Sequence, residues 1–177
     1  MRHVFSAGRR VQSAICGAVL GVASCAPPMG VGFRDTSVPI TATTRFTPDA
    51  FAGVWHVVAQ YPSGLFPDCA GQTWFVDPKT AAFTVACDGV PAYSATAQVD
   101  PRGVIQLQTP PLGPSTRGLW VMWMDEDAQT AVVGTPSGEL GWIINRSAAL
   151  RSDRFVAARE IMAFNGYDVQ NLKETGR

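Results

Sequence analysis

The stretch Phe51-Ala-Gly-Val-Trp55-His-Val-Val-Ala59 is the starting point for interpreting this chain. A glycine introduces a run of β-branched and aromatic residues, which is a composition typical of a strand. Similar runs recur as far as residue 145, separated by clusters of Gly, Pro, Asp and Asn. Eight strands are predicted: Val54–Gln60, Gln72–Val76, Ala82–Cys87, Tyr93–Val99, Val104–Gln108, Gly118–Met124, Thr130–Gly134 and Leu140–Asn145.

The connections between these strands are short and rich in turn residues. Asp77-Pro78-Lys79-Thr80 suits a type I turn, and Asp88-Gly89-Val90-Pro91 is a second four-residue turn signal. Short connections imply antiparallel neighbours, and eight such strands can close on themselves and remove exposed edges. The pattern then changes to helical spacing over Ser152–Phe164. We predict an all-β, eight-stranded antiparallel up-and-down barrel with one C-terminal α-helix; an open two-sheet sandwich is the alternative.

The first residues follow a different pattern, that of a secretory signal. Arg2, Arg9 and Arg10 precede a short apolar run that ends in small residues before Cys25. Val22-Ala23-Ser24-Cys25 resembles the lipobox of bacterial lipoproteins, which implies cleavage before Cys25 and acylation of that residue. The alternative is an ordinary secretory signal with an incidental cysteine.

This interpretation divides the chain into three parts. Residues 1–24 are predicted to be a lipoprotein signal peptide. Residues 25–48, rich in Pro, Gly, Thr and Ser, are predicted to hold the lipidated cysteine and a flexible tether. Residues 49–177 are predicted to form the barrel domain with its C-terminal helix.

The charge balance argues against nucleic acid as a partner. The formal net charge of the whole chain is zero, and loss of the three signal-peptide arginines leaves it at about −3. No run of Lys or Arg is present that could neutralise a row of phosphates.

Cys69 and Cys87 remain once Cys16 leaves with the signal and Cys25 is acylated. An even pair in an oxidising compartment favours a disulfide. A hairpin over 72–87 would bring the two residues nearly opposite each other. The alternative, a free reactive thiol, is disfavoured because the neighbour of Cys69 is the acidic Asp68.

Three segments carry a family resemblance. The segment 51–59 is similar to the first lipocalin motif, Gly-x-Trp. Leu140-Gly-Trp-Ile-Ile-Asn-Arg146 is similar to the last-strand motif, and 166–172 resembles the bacterial, apolipoprotein D-like branch of that family. The resemblance implies that Trp55 closes the barrel floor with Arg146 over its ring. The alternative is that Trp55 is ordinary core and Arg146 a solvated charge.

An active site is not predicted. His56 is the only histidine after residue 24, and as the neighbour of Trp55 on a strand it should face outward. After residue 24 the chain has no second histidine for a metal cluster, no Gly-x-Ser-x-Gly elbow and no glycine-rich phosphate loop. We therefore expect neither catalytic residues nor a metal or cofactor.

A surplus of aromatic and sulfur-containing side chains favours an apolar ligand. The sixth strand is apolar on both faces, Trp120, Met122 and Met124 on one and Leu119, Val121 and Trp123 on the other. One face can line a cavity while the other packs against the helix or a partner subunit, and the sequence does not assign them. The residues offered as ligand-binding are Trp74, Phe83, Tyr93, Trp120, Met122, Trp142 and Phe66. Phe66 and Leu65 lie in the long first loop.

The function predicted from these features is that of a lipid-anchored envelope protein. It would bind or carry fatty acids, lysophospholipids or similar apolar molecules in the barrel. Ala26 after the lipidated cysteine favours the outer membrane, facing the periplasm. The partners expected are an apolar small molecule or lipid, the membrane through N-terminal acyl chains, and a second copy of the chain as a homodimer. The alternatives are a structural or assembly lipoprotein with a filled barrel and an isomerase or de-epoxidase on the same barrel.

Overall fold

The structure is a computed structural model that describes residue 1, residues 32–66 and residues 69–175. Cys25 and the predicted signal peptide after Met1 lie outside the described residues. The elements in chain order are α1 (Pro48–Phe51), β1 (Gly53–Gln60), β2 (Gln72–Asp77), β3 (Ala82–Cys87), β4 (Val90–Asp100), β5 (Val104–Leu107), a 3-10 turn (Pro114–Thr116), β6 (Gly118–Met124), β7 (Thr130–Gly134), β8 (Gly141–Asn145), α2 (Ser152–Phe164) and β9 (Lys173–Glu174).

The strands form one closed antiparallel barrel. Neighbours along the chain pair in order from β2 to β8, and β1 pairs with both β8 and β2 to close the ring. The predicted fold class is confirmed by this topology. The short strand β9 was not predicted; it pairs with the end of β1, at Ala59 and Gln60, after β1 has left β2. No helix among the described residues has the length and hydropathy needed to cross a membrane.

The turn between β3 and β4 is tighter than predicted. Asp88 and Gly89 both adopt positive φ angles, 50° and 82°, which is the backbone of a two-residue type I′ hairpin. Val90 and Pro91 therefore belong to β4, where they pair with Cys87 and Ala86. Asp-Gly supplies the two residue types that tolerate this conformation, so the sequence contained the signal.

Apolar side chains collect into two separate clusters. The larger fills the barrel interior and contains Trp55, Trp74, Phe83 and Trp142. The smaller lies outside the barrel wall, where α2 contributes Ala158 and Met162. The helix thus covers one outer face of the barrel and does not enter it.

Tyr167 locks the segment after α2 onto the barrel. Its hydroxyl donates to the carbonyl oxygen of Leu140 at 2.7 Å and accepts from the amide of Thr135 at 2.8 Å. Gly141 makes room for the ring, since a Cβ there would lie 2.9 Å from Tyr167 Cε1. Burial raises the pKa of Tyr167 to about 12.

Residues 32–48 form a strap packed along the barrel, in contrast to the flexible tether predicted over 25–48. Its backbone pairs with the barrel end through Phe33 N to Gly138 O at 2.8 Å. Further along, Thr43 N donates to Val121 O at 2.9 Å, and Phe46 is buried. The strap therefore runs from the β7–β8 turn to the α1 end of the barrel. For residues 32–48 the tether expectation is wrong, because Pro, Gly and Thr content alone does not show where a segment docks.

Arg34 is the anchor of this strap, and its side chain is almost fully buried. Nε donates to Asn165 O at 2.7 Å and Nη1 to Pro136 O at 2.8 Å, while Nη2 donates to Val38 O. Asn165 is the C-cap of α2, so the cation also lies at the end of the helix where partial negative charge accumulates. Backbone carbonyls thus satisfy a buried charge.

Replacing Arg34 should destabilise the fold far more than replacing an exposed strap arginine. Arg34→Met leaves three carbonyls without their donor, and we expect a loss of about 2–3 kcal/mol in the free energy of unfolding. Arg45→Met is the matched control, since Arg45 makes an exposed ion pair with Glu126 and should cost under about 0.5 kcal/mol. Urea denaturation measures both. Equal effects of the two variants would show that the strap is not anchored by Arg34.

Candidate ligand-binding site

One end of the barrel is closed by Trp55. Its ring is fully buried, and Nε1 donates to Phe51 O in α1 at 2.8 Å. The Cζ atom of Arg146 lies 3.6 Å from the ring centroid, the arrangement that the resemblance implied. Arg146 also donates to Ala50 O at 2.7 Å and to Val54 O at 2.8 Å. The cation thus ties α1 and β1 to the end of β8.

A small cavity lies toward the opposite end of the barrel. Its wall is almost entirely apolar and carries no charged side chain among the described lining residues. They are Leu65, Phe66, Gln72, Trp74, Phe83, Val85, Tyr93, Leu107, Pro111, Leu119 and Trp142. The cavity leaves about 20 Å³ for a water-sized molecule, or about 290 Å³ of unfilled space when its open mouth is included.

Aromatic rings fill most of this end of the barrel. Trp74 packs edge-to-face against Trp142 and Phe83, with centroids 4.9 and 5.3 Å apart. Phe83 continues the chain of rings to Tyr93 at 6.3 Å. Ligand pockets usually measure about 300–1,000 Å³. In this conformation the cavity therefore has room for about one water.

Leu65 and Phe66 form the partition over the cavity. Both are partly buried and pack against the barrel interior. Both also line a wider groove of about 600 Å³ on the other side, between the β1–β2 loop and β9. Phe66 adopts the left-handed backbone conformation, with φ 52°, which costs a non-glycine residue about 1 kcal/mol. Space for the partition to move therefore exists on its outer side.

The β1–β2 loop is tied to the barrel by the Cys69–Cys87 disulfide, as predicted. The two Cα atoms are 5.3 Å apart. In the hairpin, however, the residue opposite Cys87 is Gln72, so Cys69 lies beyond the paired part of β2. The bond fixes the loop three residues after Phe66 and leaves Leu65 and Phe66 between two attachments, the disulfide and β1.

Five of the seven residues offered as ligand-binding line the cavity: Trp74, Phe83, Tyr93, Trp142 and Phe66. Met122 does not, because it packs in the helix cluster outside the barrel. Trp120 is also absent from the cavity wall and from the interior cluster. For these two residues the prediction is wrong.

The error lies in the choice of face, because alternation places Trp120 and Met122 together on the side opposite Leu119 and Val121. A bulge then changes the faces of the residues that follow in β6. The pairing with β7 shifts between Val121 and Trp123, so the strict alternation of faces is broken there. Leu119, Val121 and Met124 face the interior, while Met122 and Trp123 both contact the helix cluster. α2 is therefore what covers Met122 and Trp123.

Sequence reasoning missed several lining residues, above all Gln72. It lies two residues before Trp74 on β2 and shares its inward face. Alternation from Trp74 predicts that Gln72 also faces inward, but only aromatic and sulfur-containing residues were considered as ligand-binding. Val85, Leu107, Pro111 and Leu119 were missed in the same way.

His56 lies on the outer side of the barrel wall, away from the cavity. Its neighbours Trp55 and Val57 both belong to the interior cluster. Among the described residues, Cys69, Cys87 and Asp88 form the group with the spacing to hold a metal, but the two sulfurs are joined to each other. A disulfide offers no thiolate ligand.

Comparisons with known proteins agree with this geometry. A sequence profile described as a lipocalin-like domain matches residues 94–177. Temperature-induced lipocalin-1 of Arabidopsis thaliana is 26% identical over 149 residues, which cover 72% of this chain and 77% of the relative. The solved structure of insecticyanin from the tobacco hornworm Manduca sexta has the same fold, with a TM-score of 0.57 and 16% identity over 81% of this chain and 86% of that one.

Proposed function

We propose that this chain is a lipocalin that binds a small apolar ligand in the cavity beneath Leu65 and Phe66. The observation that carries the proposal is the partition, two apolar side chains that separate an aromatic, uncharged cavity from an open groove. The lipocalin-like profile and the Arabidopsis relative support the family. Fatty acids, lysophospholipids and similar molecules are the ligand classes in view, and the bacterial branch belongs to the same proposal.

The size of the cavity sets the condition for binding. About 20 Å³ admits no acyl chain, so the partition must swing outward before a ligand enters. This movement of Leu65 and Phe66 does not require the barrel to open, because the contacts that hold the floor lie at the other end, around Trp55 and Arg146. Binding rather than catalysis is the activity proposed.

A barrel filled by its own side chains is the second candidate, and the small cavity favours it. On that account the chain is a structural or assembly lipoprotein, and Leu65 and Phe66 are ordinary core. The two candidates differ in whether the partition moves, which ligand binding reports directly.

Opening the partition should speed ligand entry. We expect the purified protein to bind a fluorescent fatty acid, and a non-fluorescent fatty acid to displace it. Phe66→Ala removes one half of the partition, and we expect the association rate to rise at least about fivefold with the fold intact. Stopped-flow fluorescence measures the rate.

Val156→Ala is the control for this experiment, since Val156 is an exposed residue on α2, 55% accessible and away from the cavity. It should leave the rate unchanged. A protein that binds no fatty acid, yields no lipid on extraction and is unaffected by Phe66→Ala is the result expected of a filled barrel, and it would refute the carrier proposal.

Attachment to a membrane through Cys25 is part of the proposal. The basic residues, apolar run and small residues before Cys25 support it. The strap supports it as well: Phe33 bonds to the β7–β8 turn, at the same end of the barrel as the cavity. The seven Cα–Cα steps from Cys25 to Gly32 span at most about 25 Å, so the acyl chains would lie near the cavity mouth. An outer membrane location facing the periplasm completes the proposal.

Lipidation should depend on Cys25 alone. In a Gram-negative host fed an alkyne-tagged fatty acid, we expect the chain to take up label and to sediment with membranes. Cys25→Ala should abolish both, whereas the matched variant Cys16→Ala should retain both. Label and membrane association persisting in Cys25→Ala would contradict the anchor.

A further inference from the structure

Two buried polar atoms in the cavity wall have no hydrogen-bond partner among the described residues. They are the indole nitrogen Nε1 of Trp74 and the amide oxygen Oε1 of Gln72. Trp74 is 1% and Gln72 4% exposed. They lie two residues apart on the inward face of β2, and both line the cavity.

Unpaired buried polar groups are rare because they lose their hydrogen bonds to water and gain nothing in return. Phe83 has no hydrogen-bonding group, and the Trp142 indole N–H pairs with neither atom. Tyr93 also lines the cavity, but its hydroxyl already bonds to Thr109 O. These two atoms therefore present one unpaired donor and one unpaired acceptor in a largely apolar space.

We propose that Trp74 and Gln72 receive the hydroxyl group of a neutral, long-chain ligand. This inference rests on the proposed function and adds the chemistry of the ligand's polar end. A hydroxyl oxygen accepts from Trp74 Nε1–H, and its O–H donates to Gln72 Oε1. The cavity is about the size of one such group, so the proposal places a single oxygen between the two side chains.

Other polar ends match the wall less well. A carboxylate accepts hydrogen bonds but donates none, so with the Gln72 amide in this orientation it would leave Oε1 unpaired. It would also be a buried charge without a cation, since no lining residue among those described is charged. An alkane leaves both atoms unpaired. A hydroxyl is thus selected by the donor and acceptor pattern.

The same geometry orients the ligand. Below Trp74 the interior is occupied by Val76, Trp55 and the rest of the buried cluster. The space past Leu65, Phe66 and Pro111 leads out of the barrel instead. The hydroxyl therefore enters first, and the alkyl chain extends toward the mouth.

The test compares two ligands with the same number of non-hydrogen atoms, 1-decanol and undecane. Each displaces a fluorescent apolar probe from the purified protein, with decanoate as a third ligand. Gln72→Met keeps the side-chain length and removes the acceptor, and Trp74→Phe removes the donor. In each variant we expect decanol affinity to fall about tenfold relative to undecane affinity.

Gln98→Met is the matched control, because Gln98 is exposed on β4 and should leave the ratio unchanged. Near-ultraviolet circular dichroism checks that each variant is folded. If Trp74→Phe does not fold, Gln72→Met alone is sufficient for the test. If the ratio of decanol affinity to undecane affinity is unaltered in the variants, or if decanoate binds as tightly as decanol, the hydroxyl assignment is overturned but the proposed function is not. Failure of every ligand to bind would overturn the proposed function with it.

Discussion

Closure of the barrel depends on β1, because that strand joins the two ends of the sheet, β8 and β2. His56 stands opposite Asn145 of β8 and opposite Thr73 of β2. Trp55, next to His56, closes this end of the interior. Arg146 lies over its ring and donates hydrogen bonds to carbonyls of α1 and β1. A partly buried guanidinium over an indole ring is stabilised both by charge and by its hydrogen bonds. Because these contacts fix the floor, a ligand has to enter through the opposite end of the barrel, the mouth.

The mouth shows how a barrel of eight strands divides its interior. Such a barrel is just wide enough for side chains to fill or for one small ligand to enter. Here large rings occupy most of the space, and Leu65 and Phe66 cover what remains. The cavity is therefore closed by two residues and not by the barrel wall. The disulfide limits how far their loop can travel, since Cys69 is bonded to the end of β3.

The sequence predicted the regular parts of this fold because alternation, turn chemistry and one motif agreed. Strand positions, the helix and the Cys69–Cys87 pair follow from such local rules. Alternation failed at the bulge after Val121, because one extra residue reverses the faces of the residues that follow it. Amino-acid composition does not reveal such a bulge. The docking of Arg34 was equally hidden, because its partners are backbone carbonyls that every sequence contains. Gln72 was overlooked because the sequence does not show that its amide oxygen lacks a hydrogen-bond partner.

The central claim is that a ligand occupies the cavity beside Trp74. The most direct measurement is the 1H–15N resonance of each tryptophan indole as 1-decanol is added. The account predicts that the Trp74 signal moves with saturation while Trp123, which lies on the helix side of the wall, stays in place. A Trp74 signal that does not move, or one that moves only together with Trp123, would contradict it.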